Sequence, residues 1–373
     1  MSVKPRIGLP EGAQTLPARY YNDPELFRKE FDRFFFGMWI HVGREEEVAT
    51  VGAYVLRDVG QESILISRGD DDRLRAFYNV CRHRGTRICE GRGGKFPGHS
   101  FQCPYHAWTY DLQGRLIGAP HMDDVPGFCK GDYPLKPVSL AVWDGHLFLN
   151  LNATPEPFAD QVDDLVKRFR PWRMEDLRRG HQIVYDVKAN WKLLIQNYSE
   201  CLHCPVIHPA FQKLSHYLDG DSEPTHSGYF GGKNDLRPGV ETISNDGKRR
   251  RACLPNLEPA DCRRVHFYTV MPNLLLSLHP DYLVSYTLWP KAVDRTEVVC
   301  EWHFHRDEFG RRGFDPSDAV EIWDLTNRQD WHVSELTQLG INSRSYTPGP
   351  YSGREDLLYA FDRLILGEDR YEE

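Results

Sequence analysis

The sequence predicts an α+β protein: a small antiparallel β domain, then a larger domain whose central antiparallel sheet is flanked by helices. Three features predict it. Short segments rich in β-branched and aromatic residues recur at close intervals with turn residues between them, as antiparallel strands do. Runs with apolar residues three and four apart mark helices near both ends. A Pro-rich stretch, TPEPFADQV, interrupts the chain near residue 155. The expected organisation is residues 1–38 as an N-terminal arm and helix packing on the larger domain, 39–155 as the β domain, and 156–373 as the larger, catalytic domain. At 373 residues there is enough chain for two hydrophobic cores.

Residues 1–23 are rich in Pro and Gly and read as an extended arm. From Pro24, PELFRKEFDRFFFGMW places Phe27, Phe31, Phe34, Phe35 and Met38 at helical spacing, with Asp23 as N-cap. AYVLRDV, ESILISR and LRAFYNV are strands, and AVWDGHLFLNLN closes the β domain. Beyond the linker, HQIVYDVKANW is a strand feeding the helix KLLIQNYSECLHC. Residues 215–262 are polar and rich in Gly, Pro and Asp, which predicts a long irregular segment, a lid or a docking surface. Within it, Lys248–Arg251 reads as a solvated basic run. The strands VHFYTV, NLLLSL, YLVSYTLW and TEVVCEWHFH follow. The helix SDAVEIWDLTNRQDWHVSELTQLG comes next, capped by Ser317 and stopped by Gly340, and REDLLYAFDRLIL is the last helix.

Composition excludes several classes. A formal net charge of −8 argues against general nucleic-acid or membrane-surface binding. The opening MSVKPRIGLPEGAQ has no signal-like apolar run, and the longest apolar stretches, such as FFFGMWI at 34–40, are too short to span a bilayer. A cytoplasmic protein is expected. Nine scattered cysteines, an odd number, favour thiols and metal ligands over a disulfide framework.

Two constellations carry chemistry. In the β domain, Cys81-Arg-His83 and Cys103-Pro-Tyr-His106 each offer one thiolate and one imidazole, with 19 residues between the pairs. Two cysteines and two histidines define a Rieske 2Fe-2S centre, histidines replacing thiolates on one iron. Structural zinc is the bland reading, but zinc fingers pair C-x2–4-C with H-x3–5-H, a different ligand order. In the larger domain, Gln196–Pro209 reads QNYSECLHCPVIHP. On a helix Glu200 and His203 share a face, and a break at Pro205 turns the chain so that His203 and His208 converge. Two imidazoles and a carboxylate with open positions hold a reactive non-haem iron. The long C-terminal helix offers Glu321, Asp324, Asp330 and Glu335 as the carboxylate. Asp330, seven residues after Trp323 and near Val333, lies on a half-apolar stripe and points inward. Cys201 and Cys204 enclose the candidate ligand and read as packing thiols; Cys89, Cys129, Cys253, Cys262 and Cys300 fit no motif and read as inert thiols.

NVCRHRGTRICEG followed by FQCPYHAWTYDLQGRLIG resembles the Rieske domain of Rieske-type non-haem iron oxygenases, at their terminal oxygenase (alpha) component. The loop between the ligand pairs is slightly longer than the family's, the excess falling in GRGGKFPG. Asp330, with Glu335, Gln338 and Gly340 after it, is similar to the segment bearing the family's ligating aspartate. The resemblance implies a helix-grip (START-like) catalytic domain, a cluster on Cys81, His83, Cys103 and His106, and ferrous iron on His203, His208 and Asp330. It makes Glu200 a bridge between the metal centres. It further implies a head-to-tail homotrimer, with His106 meeting Glu200 of the partner subunit. Dioxygen is then the co-substrate, and electrons come from NAD(P)H through a separate flavin/iron-sulfur reductase, with or without a ferredoxin. NYSECLHCPVIHP looks most like the choline, carnitine and betaine branch. For such a cation Tyr198, Tyr229, Phe230, Phe267, Tyr268 and Trp331 are the candidate rings. Two alternatives remain at this point: a dioxygenase alpha subunit acting on an aromatic acid or hydrocarbon, and a non-catalytic Rieske electron carrier. A zinc-stapled interaction protein is a third.

Overall fold

Short runs rich in β-branched and aromatic residues form the strands of the computed structural model, which describes residues 9–96, 98–223, 226 and 228–367. The chain packs as two units, one formed by the chain up to Phe34 and from Pro157 on, the other by Phe35–Glu156. The arm's first eight residues and the last six lie outside the described residues.

In the Phe35–Glu156 unit the strands are β1 (Ile40–Arg44), β2 (Ala53–Val59), β3 (Glu62–Arg68), β4 (Leu74–Tyr78), β5 (Gly93–Lys95), β6 (Ser100–Gln102), β7 (Thr109–Asp111), β8 (Leu116–Gly118), β9 (Pro137–Trp143) and β10 (His146–Asn150). They form one sheet in the order β1-β10-β9-β4-β3-β2-β5 and a second, β6-β7-β8, with every pairing antiparallel. Leu65, Phe77, Phe101, Trp108 and Tyr110 fill the core with Cys81 and Cys103 among them. The GRGGKFPG stretch, where the extra loop length was expected, contributes a strand. Its Gly93–Lys95 pairs with β2 as an edge strand, and a Cβ at Gly93 would lie 2.6 Å from the Tyr54 carbonyl, so the approach requires glycine. Pro97, within that stretch, lies outside the described residues.

The larger unit is built on β11 (Leu177–Val187), β12 (Ser215–Ser222), β13 (Tyr229–Leu236), β14 (Arg264–Val270), β15 (Leu274–Leu278), β16 (Tyr282–Ala292) and β17 (Arg295–His305). Their order is β11-β17-β16-β15-β14-β13-β12, antiparallel throughout. The helix Ser317–Ile341 buries Trp323, Asn327, Trp331, Ser334 and Gln338, the three- and four-residue spacing of one face. Its start and stop differ from expectation. Asp315, not Ser317, accepts from the first-turn backbone, at Ser317 N (2.9 Å), and the helix runs through Gly340 to Ile341. From its far end, Glu335 accepts from Lys188 N (3.0 Å) and Gln338 from Asn190 N (2.9 Å), tying it to the start of the Trp191–Tyr198 helix.

Residues 215–262 are less irregular than predicted, because β12 and β13 lie within them. Arg251 is not solvated either. It is buried, donating to both Asp318 oxygens (2.7 and 3.0 Å) and to Asp281 (3.0 Å), and so anchors the first turn of the long helix. The cysteine reading also changes. Cys201–Cys204 and Cys253–Cys262 are disulfides, their Cα atoms 5.0 and 6.5 Å apart, within the span a bridge needs. Spacing alone carries no signal for the second of these.

The arm continues as backbone pairing, Thr15 N to the Gly349 carbonyl (2.9 Å) and Tyr351 N to that of Ala13 (3.0 Å). Asp23 caps the helix Pro24–Glu30, which passes into a π-helical turn at Phe31–Phe36. Beneath it lies a buried polar network. Lys192 pairs with Glu30, and Gln196 donates to Asp362 (2.6 Å), which also accepts from the Tyr351 hydroxyl (2.7 Å). Burial pushes the Asp362 carboxyl up to about 7 despite these donors. A carboxyl whose folded pKa exceeds its unfolded value, about 3.9, binds a proton on folding. Its contribution therefore favours the folded state below that value and is lost as pH rises to about 7. Asp362→Asn should flatten this loss, on the order of a few kcal/mol, which thermal melts at pH 5 to 8 will show as a shallower fall in Tm than in the wild type.

Candidate functional site

Two loops of the smaller unit have the same backbone pattern. Cys81 N bonds the Thr86 carbonyl (2.8 Å) and Gly85 N the Cys81 carbonyl (3.0 Å); Cys103 N bonds the Trp108 carbonyl (2.8 Å) and Ala107 N the Cys103 carbonyl (3.1 Å). Each turn needs a left-handed residue at its fourth position after the cysteine, supplied by Gly85 (φ 76°) and, less comfortably, by Ala107 (φ 56°). The result is two buried sulfurs and two outward imidazoles, the His83 and His106 rings 4.8 Å apart. Trp108 lies flat against His83, with centroids 4.8 Å apart and planes 8° apart, and fixes that ring's orientation. Partial desolvation, with the charges of His106 and Arg84, lowers the His83 pKa and so favours the neutral imidazole, the form that binds metals. Sulfur pair inside and imidazole pair outside fit a Rieske cluster.

Sequence reasoning missed Tyr110. Its hydroxyl accepts from Arg82 N (2.9 Å) and lies 3.4 Å from Cys81 Sγ. Either group can donate across this contact; with Cys81 as a thiolate, which has no proton to give, the phenol is the donor.

In the larger unit the helix that begins at Trp191 ends at Tyr198, where Ser199 Oγ donates back to the Ile195 carbonyl (2.6 Å). The break therefore precedes Glu200 rather than falling at Pro205, which instead opens the short helix Cys204–Ile207. Glu200 and His203 meet across a turn. One Glu200 oxygen accepts from Leu202 N and the other from His203 Nδ1. His208 Nδ1 donates to Gln329 Oε1 (2.8 Å), a partner that sequence reasoning also missed although it adjoins Asp330. With both Nδ1 atoms held, both Nε2 atoms turn to Asp330 Oδ1, at 3.3 Å from His203 and 2.8 Å from His208. Two donors each about 2.1 Å from one ion and at right angles stand about 3.0 Å apart, close to both of these separations. The other helix acids are engaged elsewhere: Glu321 with Asn245 (2.7 Å), Asp324 with Tyr185 (2.8 Å) and Glu335 with the Lys188 backbone. Burial works against charge on His203, but hydrogen bonds to Asp330 and Glu200 outweigh it and raise its pKa to about 9. Asp330 is lowered, since the bonds from His203 and His208 outweigh its burial.

An open-mouthed pocket adjoins the triangle. Across β13 and β14, Phe230 pairs with Thr269 and Gly232 with Phe267, and these residues face it. The alternate residues Tyr229 and Tyr268 belong to the opposite face, where Tyr268 meets Arg168 (2.6 Å). Trp331 packs against Tyr185 and Tyr286 and does not line the pocket. Of the predicted rings, Tyr198, Phe230 and Phe267 line it; Phe211, Tyr217 and Trp323 were missed. Trp323, two helical turns before Asp330, was legible from spacing. Among the described residues no helix is long and apolar enough to cross a membrane.

Comparison with known proteins agrees with this arrangement. Residues 38–129 match the Rieske [2Fe-2S] domain family, and 174–366 the ring hydroxylating alpha subunit (catalytic domain) family. The chain is 33% identical to the glycine betaine monooxygenase oxygenase subunit of Chromohalobacter salexigens, over 92% of this chain and 82% of that one. It is 38% identical to the carnitine monooxygenase oxygenase subunit of Escherichia coli K12, over 90% and 87% respectively. Its fold is similar to that of the quaternary ammonium Rieske monooxygenase CntA in complex with L-carnitine, with TM-score 0.80 and 26% identity over 98% of this chain and 100% of that one.

Hydrogen bonds to cluster sulfurs raise the reduction potential. Tyr110→Phe, which removes the one donated by the phenol, should lower the cluster's midpoint on the order of tens of millivolts while leaving its Cys/His absorption pattern intact, as read by spectroelectrochemistry.

Proposed function

This chain belongs to the Rieske non-haem iron oxygenases, as an alpha-type oxygenase subunit and an oxidoreductase, and we propose that its substrate is a quaternary ammonium compound hydroxylated at a carbon next to nitrogen. The observation that carries the reading is the aromatic pocket beside His203, His208 and Asp330. Rings of Phe211, Phe230, Phe267 and Trp323 offer π faces to a cation, and the acidic Glu200 and Asp330 favour positive charge nearby. The relatives named for glycine betaine and carnitine support it. Hydroxylation of an N-methyl carbon would release formaldehyde and leave the demethylated amine.

We assign the cluster to Cys81, His83, Cys103 and His106, and the mononuclear iron to His203, His208 and Asp330. When bound, these groups supply stored electrons and an open position for dioxygen. The chain's own part is orientation. Glu200 holds His203 Nδ1 and Gln329 holds His208 Nδ1, so each imidazole presents Nε2 and cannot rotate away. Glu200 keeps further acceptor capacity, because a carboxylate has about four lone-pair sites and two are used here. That capacity suits it to accept from the partner subunit's His106 in a head-to-tail homotrimer, a closed heterologous ring. Support for such an arrangement is the inter-subunit electron transfer described for CntA. The relatives are oxygenase subunits, which fits a separate NAD(P)H-dependent flavin/iron-sulfur reductase, with or without a ferredoxin, and dependence on NAD(P)H would suit a cytoplasmic setting.

Oxygen uptake and formaldehyde release, measured with a reductase across betaines, choline and aromatic acids, should appear with the quaternary amines; turnover confined to aromatic acids would overturn the substrate reading. Glu200→Gln should keep both metals by analysis yet form product about 10–100-fold more slowly, the scale on which lost ligand partners act. Wild-type turnover in that variant would remove Glu200 from the bridging role.

A further inference from the structure

Cys204 follows His203 in sequence and stands beside the metal triangle in space. Its Sγ lies 3.7 Å from His203 Nε2, and one donor atom each from His203, Cys204 and His208 fall within 4.8 Å of one another. Three donors so placed can share one ion. In the structure this sulfur is bonded to Cys201, and both cysteines line the pocket. A disulfide sulfur lacks the negative charge that makes a thiolate the metal-binding form of cysteine. A thiolate here would favour thiophilic metals over the harder ferrous iron.

We propose that the Cys201–Cys204 bridge withholds a fourth protein ligand from the mononuclear site, and that its reduction by a dithiol lets Cys204 join His203, His208 and Asp330 around zinc. This rests on reading those three residues as metal ligands. The reduction is thiol–disulfide exchange. One thiolate of the dithiol attacks the bridge, and its second thiol resolves the mixed disulfide. Two electrons pass to the protein, which gains two thiols while the dithiol becomes its own disulfide. Cys204 then gives up its proton as it binds the metal. With the bridge intact, three ligands leave positions open; with the thiolate added, four ligands close a tetrahedral zinc site.

The test uses full-length, cluster-loaded protein from which a chelator has removed the mononuclear metal. Zinc is titrated against a chromophoric competitor before reduction, and again after anaerobic treatment with dithiothreitol and desalting. Reduced protein should bind zinc at least about tenfold more tightly, since losing even an outer partner weakens metal sites on that scale. Cys201→Ser, whose Cys204 thiol is permanently free, should show the tight value without dithiol. Cobalt should give a sulfur-to-metal charge-transfer band in both of those forms. Cys204→Ser should stay weak in either condition, which also controls for reduction of Cys253–Cys262. Equal zinc affinity before and after reduction, or tight binding by reduced Cys204→Ser, overturns the proposal. Tight binding that survives in reduced His203→Ala instead places the zinc elsewhere and overturns the ligand reading itself.

Discussion

Three side chains are held close together with two imidazole nitrogens turned to one carboxylate oxygen, and a set of buried hydrogen bonds in the larger unit serves that constraint. His203, His208 and Asp330 come from a turn and a helix that are distant in sequence. Left alone, flexible imidazoles would find other partners. Each is fixed from behind, one by Glu200 and one by Gln329, so that the atom facing Asp330 is the one available to a cation. The helix bearing Asp330 is fixed at both ends, by Arg251 on its first turn and by Glu335 and Gln338 on the backbone leading to Trp191. A triangle this tight depends on anchors on either side of it along the helix.

The smaller unit solves the parallel problem with backbone rather than side chains. Repeating one hydrogen-bond pattern in two loops sets two sulfurs at matching depth, and the rings that follow them are steadied by packing, Trp108 on His83 above all. That economy explains how a short motif builds a whole site. The one departure is Ala107, which adopts a backbone angle usually left to glycine.

Much of this was legible in the chain. The order of Cys81, His83, Cys103 and His106 separates a cluster from a zinc finger because the two chemistries need different ligand order. Strands β2–β4, β11 and β14–β17 follow from local runs of β-branched and aromatic residues, whereas the short β5–β8 and the polar β12 and β13 carry no such signal, and AVWDGHLFLNLN, read as one strand, turns back on itself as the β9–β10 hairpin. What was hidden depends on partners far away in sequence. Gln329 is an ordinary helix residue until His208 reaches it. The facing of Tyr229 and Tyr268 follows from strand register, which no aromatic count reveals. Arg251 looks like its basic neighbours until Asp281 and Asp318 enclose it. The helix break was assigned to Pro205, the strongest local breaker, whereas the competing Glu200 and Ser199 side-chain bonds end the helix sooner.

Arg251 deserves a practical reading. Lys248, Arg249 and Arg250 form one basic run with it, and anyone trimming surface charge to ease purification would treat the four as equivalent. Three of them are open to solvent in part or in full, while Arg251 is, among the described residues, the direct counter-charge of Asp281, whose own pKa burial has already lifted to about 6. Charge trimming at that fourth position would strand Asp281 in the interior, leave Asp318 only its longer contact with Arg250, and slacken the helix that carries Asp330, so the editable stretch of this loop ends one residue earlier than it reads.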